Sequence, residues 1–467
     1  MAGLETHVEL STQTKIFCSC EVKFGEPPNT LCCEVCTGAP GALPVLNKRV
    51  VEYGVLAGLS LDCEIKKSSK MDRKNYFYPD LPKAYQISQF DIPLCRDGFL
   101  TLSSGKKIRI ERIHIEEDAG KLIRKEGEVL IDYNRAGVPL IEIVTKPDFA
   151  SADEVREYLE KLQILMRYIG ISDCRMQEGS LRCDVNVSLF DEEKGRGFER
   201  TEIKNMNSIG NIVKAIESES ERQKNLLKKG EEIKRLTLRY DDSTGKTVPM
   251  RDKESSADYR YFPEPDLGYI VLEDEEIETL RKSLPELPFY KARRYREEFS
   301  LSESDAQNLT SYRRVSEYFD KASEGAKDPA LLAKLITGTV FATLRTEKDK
   351  EKFEILTSPD ELRKLSDLVY DGKINISLAK GTLLKMLQSG EGVSSFIKEE
   401  DMVTLGEEEL LKLCRDAIEK NPVAKADFLS GKDKAVMALV GFVMRESKGR
   451  ANAKLTEEKL RTLLRET

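Results

Sequence analysis

Histidine is scarce in this chain: two residues in 467. No apolar run approaches the roughly 18 residues that a membrane-spanning helix needs, which excludes insertion into a bilayer. The opening MAGLETHVEL lacks a basic stretch followed by an apolar one, so no secretory signal is visible and a cytoplasmic protein without membrane contact is expected. The familiar nucleotide and hydrolase signatures are missing too. STGKT, Ser243 to Thr247, has the ending of a P-loop, but Tyr240 occupies the place of its leading glycine. G-x-S-x-G, H-E-x-x-H and G-x-G-x-x-G do not occur, so any ATP would have to be bound by an atypical fold. A net charge of −7 argues against a surface that binds nucleic acid everywhere and leaves room for a local basic patch.

What is present reads as a globular chain of two or three domains, since 467 residues are too many for one hydrophobic core. Up to about residue 290, short alternating runs dominate: GLETHVELST, KIRIERIHIEE, EVLIDY, PLIEIV, SLRCDVNVSLF and RTEIKN read as half-buried strands. Two helices interrupt them. One is announced by Ser151 and Glu154 as a capping box before Val155, Leu159, Leu162 and Met166, and the other runs from about Asn211 to Gly230. This half is α+β. Beyond Pro285 and Pro288 the alternation gives way to helical spacing up to the C-terminus, with a further break expected at SGEGVSS, Ser389 to Ser395. From Gly431 to Thr467 nine Lys or Arg stand against five Asp or Glu, so the last segment is locally basic.

Alternation assigns side chains to faces. Glu5, His7 and Glu9 share one face of the first strand; Arg112, His114 and Glu116 share one face of another, opposite Ile113, Ile115 and Glu117. Arg182, Asp184, Asn186 and Ser188 form a third polar face, and Glu202 stands beside Lys204 on a fourth. Taken singly, each suits the solvent side of an antiparallel sheet. Taken together, carboxylates, imidazoles and an amide on neighbouring strands suit an octahedral Mg²⁺ that also holds nucleotide phosphates. Both readings stand at this point. In CSCEVKFGEPPNTLCCEVC, Cys18 and Cys20 with Cys33 and Cys36 form two knuckles suited to tetrahedral Zn²⁺, with Cys32 as a spare thiol; four thiolates close the site and make it structural. The segment MDRKNYFYPDLPKAYQISQFD interleaves Arg73, Lys74 and Lys83 with Tyr76, Phe77, Tyr78 and Tyr85, which suits phosphate contact and base stacking but, on the residues alone, suits core packing better.

GLETHVEL, PGALPVLNKR, SKMDRKNYFYPDLPKAYQISQFDIPL, RIHIEEDAGK, DYNRAGVPLIEIV, GSLRCDVNVS, EIKNMNS, DYRYFPEPDL and LPELP closely resemble the B subunits of the tRNA-dependent amidotransferases, the GatB family, and the likeness runs through nearly the whole chain. It implies a mostly antiparallel cradle domain with ATP/Mg site, acceptor-end binding and zinc knuckle over residues 1–290. A helical linker domain over 291–392 and a small helical tRNA-binding tail over 393–467 would follow. It also implies a ligase subunit that phosphorylates, with ATP, the esterified side-chain carboxylate of Glu-tRNA(Gln) or Asp-tRNA(Asn). Ammonia from an amidase-type A subunit would then amidate it, with a small C subunit joining the two and a nondiscriminating synthetase supplying the misacylated tRNA.

On that resemblance Glu5, His7, Glu116 and Glu202 are the expected Mg²⁺ ligands, with Glu117 as a further catalytic candidate and Asp184 and Asn186 as second choices near the nucleotide. Arg73, Lys74, Tyr76 and Lys83 become phosphate or acceptor-end candidates, and Lys448, Arg450 and Lys454 candidate tRNA contacts of the tail, where a solvated charged face is the plain alternative. Two departures stand out. Members usually carry a few more residues before GLE, so this start is read as trimmed or misassigned, and the four cysteines are not kept in every member. The rival functions are a non-catalytic, zinc-containing tRNA-binding scaffold and a free-standing metal phosphohydrolase.

Overall fold

A computed structural model of the chain describes residues 1–191, 193, 195–250, 259–398, 406–447 and 451–465, with 453 and 454 described by backbone alone. It contains two compact units, Met1–Leu287 and Pro288–Thr467. The three predicted tail residues fall outside this description: Lys448 and Arg450 entirely, Lys454 in its side chain.

The first unit begins with β1 (Ala2–Glu9) and α1 (Lys48–Ser60). Short strands follow: β2 (Glu64–Ile65), β3 (Ser68–Ser69), β4 (Asp72–Asn75) and β5 (Tyr85–Ser88). Longer ones come next, β6 (Cys95–Thr101) and β7 (Lys107–Glu117), then the hairpin of β8 (Lys121–Lys125) and β9 (Glu128–Asp132), and β10 (Pro139–Thr145). After α2 (Ala152–Tyr168) come β11 (Leu181–Val187), the small pair β12 (Phe190–Asp191) and β13 (Arg196–Gly197), and β14 (Thr201–Lys204). The unit continues through α3 (Ile209–Lys228), β15 (Leu236–Asp241), β16 (Lys246–Pro249), β17 (Phe262–Pro263) and β18 (Ile270–Val271). Ser243 to Thr247 falls at the β15–β16 hairpin, where Ser243 and Thr244 bond back to Asp241.

Nine strands form one sheet in the order β16-β15-β14-β11-β1-β10-β7-β6-β2. The first strand therefore lies in the interior, with β10 and β11 antiparallel on its two sides. The β14–β15 pair is parallel, and α3 supplies the crossover that a parallel pair requires. Alternation decides the faces, because directly opposed residues of neighbouring strands point the same way. Leu4, Thr6, Val8, Ile113, Ile115, Ile141, Ile143, Cys183, Val185 and Ile203 are buried on one side. Helix α1 reaches that side through a residue without a side chain: a Cβ on Gly54 would stand 2.5 Å from Leu94 Cδ2 and 3.2 Å from Ile115 Cγ2.

Helix α2 starts on Ser151, whose hydroxyl accepts from Glu154 N. The Glu154 carboxylate turns back one residue further than a capping box requires, accepting from Ala150 N at 2.7 Å and pairing with Lys106. A small sheet, β17-β4-β5, stands against the end of β7 and carries the basic, aromatic segment.

The second unit is helical among its described residues. Helices from Pro288–Phe299 to Ile376–Ser389 surround Tyr295, Phe319, Leu332, Ile336, Leu362, Leu383 and Met386. Val393 and Ile397 pack into the same core; Gly390 ends the last helix with φ +77 and the Val393 N–H donates to Glu361 Oε2. A second core, built on Leu410, Cys414, Leu439, Val443, Leu460 and Leu464, joins Glu407–Lys420, Val436–Glu446 and Ala453–Arg465. No described helix is long and apolar enough to cross a membrane.

Candidate active site

The strand register determines who meets on the open face of the nine-stranded sheet. His7 lies opposite Glu142 on β10 and Arg182 on β11, Glu142 lies opposite His114 on β7, and Leu140 lies opposite Glu116. Two imidazoles and two carboxylates thus converge. His7 Nε2 is 3.3 Å from Glu116 Oε1 and 3.7 Å from Glu142 Oε2; His114 Nε2 is 3.0 Å from Glu142 Oε2 and 3.7 Å from Glu116 Oε2. Ser88, at the end of β5, donates to Glu116 Oε2 at 3.0 Å. Glu116, Glu142 and His114 are buried, and His114 Nδ1 has no partner among the described residues.

Burial opposes charge on all four groups, yet their mutual attraction wins. His114 is pushed up to about 9 and His7 is raised, because the carboxylates of Glu142 and Glu116 outweigh desolvation. In turn Glu116 is held well below the usual carboxylate range and Glu142 is held down to about 2 by the imidazoles. Protons on nitrogen therefore do here what a cation would do. Donor atoms of His7, Glu116 and Glu142 all lie within 4.8 Å of one another. Octahedral ligands about 2.1 Å from Mg²⁺ stand roughly 3 Å apart at neighbouring positions, close to the spacings found here, so this donor set fits a hard divalent cation.

The predicted ligands separate into two groups. His7 and Glu116 belong to the cluster just described. Glu5 and Glu202 belong to a second one further along the same face, where Asn186 Nδ2 donates to Glu5 Oε1 at 3.1 Å and Lys204 Nζ bonds Asp184 at 2.6 Å and Glu202 at 2.8 Å. Burial and the neighbouring Glu142 and Glu202 raise the Glu5 carboxyl above its ordinary range. Glu117 points to the other side of β7, as alternation requires, and takes Lys83 Nζ at 2.6 Å and Ile87 N at 2.9 Å.

Of the remaining basic candidates, Arg73 is neutralised, its guanidinium bonded twice to buried Glu264 at 2.6 and 2.7 Å and once to Asp266. Tyr76 donates to Gln86 Oε1 at 3.3 Å. Lys74 is different. Its Nζ lies over the rings of Tyr259, at 4.8 Å, and Tyr76, at 5.8 Å, and makes no ion pair among the described residues. Burial weakens its charge, but the fields of Glu116 and Glu142 hold its ammonium above the usual range.

Cys18, Cys20, Cys33 and Cys36 form a separate cluster. Cys36 Sγ lies 4.0 Å from Cys33 Sγ and accepts from Cys33 N at 3.1 Å and Lys15 Nζ at 3.6 Å. Thiolates about 2.3 Å from a tetrahedral Zn²⁺ stand roughly 3.8 Å apart, which this spacing meets. The hydrogen bond from Cys18 takes the Cys36 thiol down to about 4 and raises that of Cys18, as a shared site for anions demands. The spare Cys32 stays outside, donating to Asn29 O.

Residues 1–278 match the family model described as the GatB/GatE catalytic domain, and residues 317–464 match that described as the GatB domain. The chain belongs to this family. It is 46% identical over 467 residues to the B subunit of the aspartyl/glutamyl-tRNA(Asn/Gln) amidotransferase of Caldicellulosiruptor saccharolyticus, covering 98% of this chain and 97% of that one. The similarly named proteins of Caldanaerobacter subterraneus, 47% identical over 464 residues, and Thermotoga petrophila, 46% over 473, are covered to 98% each, by 98% and 99% of this chain.

Two residues of this GatB-family chain escaped the reading of its sequence. Glu142 stands in PLIEIVT, a strand buried from end to end, where an acid facing a cluster and an acid at a strand edge look alike. Its signal was its solitude: one carboxylate in a run too apolar to leave it unpaired. Ser88 had no signal, since its partner Glu116 is brought to it by the small sheet.

Proposed function

We propose that this chain is the B-type subunit of a glutamine-dependent amidotransferase, a ligase that converts Glu-tRNA(Gln), Asp-tRNA(Asn) or both into Gln-tRNA(Gln) and Asn-tRNA(Asn). The observation that carries this reading is a divalent-cation donor set of His7, Glu116 and Glu142 with the ammonium of Lys74, which makes no ion pair among the described residues, in its field.

A carboxylate resists ammonia because attack would have to expel oxide. It first needs a leaving group, which the γ-phosphoryl of ATP supplies: the carboxylate oxygen forms a bond to phosphorus, the bond to the ADP oxygen breaks, and an acyl phosphate results. Ammonia then adds to the acyl carbon, loses a proton, and phosphate departs with the bonding pair, leaving the amide. Mg²⁺ would neutralise phosphate charge and hold the oxygens in line. His7, Glu116 and Glu142 would hold it, with Ser88 orienting Glu116. Lys74 would meet the transferred phosphoryl. The rings of Tyr259 and Tyr76 would hold its ammonium in place. The Cys18, Cys20, Cys33 and Cys36 site would take a structural zinc.

In the same reading residues 1–290 are the cradle for ATP and the acceptor end, 291–392 a helical linker and 393–467 a tail that meets the tRNA, although Val393 and Ile397 pack into the linker's core, so that the linker would end beyond 392. An amidase-type A subunit and a small C subunit are the partners, a nondiscriminating synthetase provides the misacylated tRNA, and the complex works in the cytoplasm.

The test combines the purified chain and its amidase-type and small partners with Glu-tRNA(Gln), glutamine and Mg-ATP, and follows Gln-tRNA and ADP. Glu142→Gln should slow both products at least ~100-fold while tRNA binding stays within about twofold. A variant that keeps pace with wild type would sink the proposed site, and ADP formed without tRNA would favour the phosphohydrolase reading.

A further inference from the structure

The cysteine cluster and the Lys83–Glu117 pair are distant in sequence and share one wall in the fold. A cavity of about 120 Å³ has Cys18 and Cys36 on one side and Lys83, Tyr85 and Glu117 on the other. Two contacts fasten the sides together. Gly38, just past the second knuckle with φ +71, lies so close to Lys83 that a Cβ there would be 2.5 Å from Lys83 Cγ and 3.3 Å from its Cα. On the other flank a Cβ on Gly137 would be 3.3 Å from Cys36 Cβ, and the Gly137 N–H donates to the carbonyl of Asp118, the residue after Glu117. Fully buried Lys15 bridges the same region, its ammonium donating to Cys36 Sγ at 3.6 Å and to Tyr133 O at 3.4 Å.

The turn that carries Lys83 is hydrogen-bonded on both flanks, so what is left to place is the Lys83 side chain. The turn itself consists of Leu81 N to Tyr78 O and Ala84 N to Leu81 O, with Ala84 at φ +61. Its flanks are tied by Gly120 N to Asp80 O at 2.8 Å, by the Tyr133 hydroxyl to Pro79 O at 3.0 Å and by Tyr76 N to Ala84 O at 3.3 Å, while the Lys83 side chain meets the Glu117 carboxylate, the Tyr85 ring at 5.6 Å and the close approach of Gly38.

We propose that the four-cysteine knuckle is the positioning element of the Lys83–Glu117 pair, so that metal loading sets where the Lys83 ammonium stands. A bound Zn²⁺ ties both knuckles into one rigid piece. Gly38 transmits that rigidity to the Lys83 stem, and Gly137 transmits it to the end of β7. The use of Lys83 toward phosphate or the acceptor end rests on the function proposed above; the mechanical link does not.

The Ile87 amide reports the link directly, because it donates to the Glu117 carboxylate that also takes Lys83. Hydrogen exchange at Ile87 is measured by mass spectrometry on the full chain, as purified with zinc and after chelation, with α2 amides as a reference for intact folding. Zinc removal should speed Ile87 exchange on the order of tenfold with α2 unchanged. Gly38→Ala, assayed to retain one zinc per chain, should speed it likewise, because it displaces the Lys83 stem without touching a thiolate. Unchanged Ile87 exchange in either sample, with the zinc content as specified, overturns the proposal. Should chelation loosen α2 as well, the Gly38→Ala result alone decides. Neither readout involves ATP or tRNA, so failure of the function reading would leave this result standing.

Discussion

Two acidic clusters share one face of the nine-stranded sheet and solve the same problem differently. Around His7, His114, Glu116 and Glu142 the carboxylate charge is balanced by imidazoles, which release their protons within the ordinary pH range. Around Glu5, Asp184 and Glu202 it is balanced by Lys204, which bonds two of the three carboxylates and whose ammonium their charge holds far above neutrality despite burial. The first cluster can therefore exchange protons for a metal ion. The second carries its own cation and must break two hydrogen bonds before it can take another. Similar composition on adjacent strands thus leads to an exchangeable site and a self-neutralised one.

The largest effect expected from breaking this contrast is on metal affinity. Titrated calorimetrically with Mn²⁺ as a Mg²⁺ stand-in, Glu116→Gln should weaken binding by about 100-fold or more, and Glu5→Gln by less than about tenfold. Equal losses would mean that the clusters act as one site.

Stability against pH should expose the imidazoles next. Their folded values lie above the ordinary 6.5, His114 at about 9. Groups raised on folding stabilise the protein fully below their unfolded value and lose that contribution as pH rises through the folded one. The metal-free chain should accordingly become less stable between about pH 6.5 and pH 9, by up to ~3 kcal/mol from His114 at about 1.4 kcal/mol per unit. Urea midpoints with chelator and with saturating Mg²⁺ would measure this, and the magnesium-loaded protein should not show the loss, since a cation on Glu116 and Glu142 cancels the field that holds the proton on His114. A flat metal-free profile would remove the imidazoles from the charge balance.

Lys204→Gln should turn the second cluster toward the behaviour of the first. Removing the ammonium leaves Asp184 and Glu202 without their shared partner, for a cost of about 2 kcal/mol that millimolar Mg²⁺ should partly restore. No restoration by magnesium in a denaturant titration would show that the second cluster is structural. The smallest effect belongs to Ser88→Ala. Loss of one buried hydrogen bond to Glu116 should cost about 1 kcal/mol and lower kcat/KM several-fold, with KM for ATP moving less than kcat.

The lessons for reading such a sequence lie in particular residues. His7, His114 and Glu116 were placed on common faces by alternation alone, and Glu117 was separated from them by the same rule. The thiolate cluster was legible from C-x-C and C-x-x-C spacing, though not the exclusion of Cys32, which follows from its bond to Asn29 O. The Lys204–Glu202 contact was legible as neighbours on one strand face; that Lys204 also holds Asp184, two strands of one sheet brought side by side, was not. Arg73 looked like a free cation because its partner Glu264 is 191 residues away.

By itself the sequence determined periodicity and chemistry: strands with one apolar and one polar face, four thiolates at knuckle spacing, a helix capped by Ser151, and the family to which these motifs point. Those properties are local, since side-chain direction along a strand and a cap at a helix start depend on a few adjacent residues. The tertiary structure decided which faces meet. Strand order brought β10 between β1 and β7 and so introduced Glu142 to two histidines, and the small sheet carried Lys74 to that cluster while giving Arg73 to Glu264. Which cation remains available and which is already paired is a property of long-range contacts, and Coulomb attraction at a few ångströms responds to those contacts, whatever their separation along the chain.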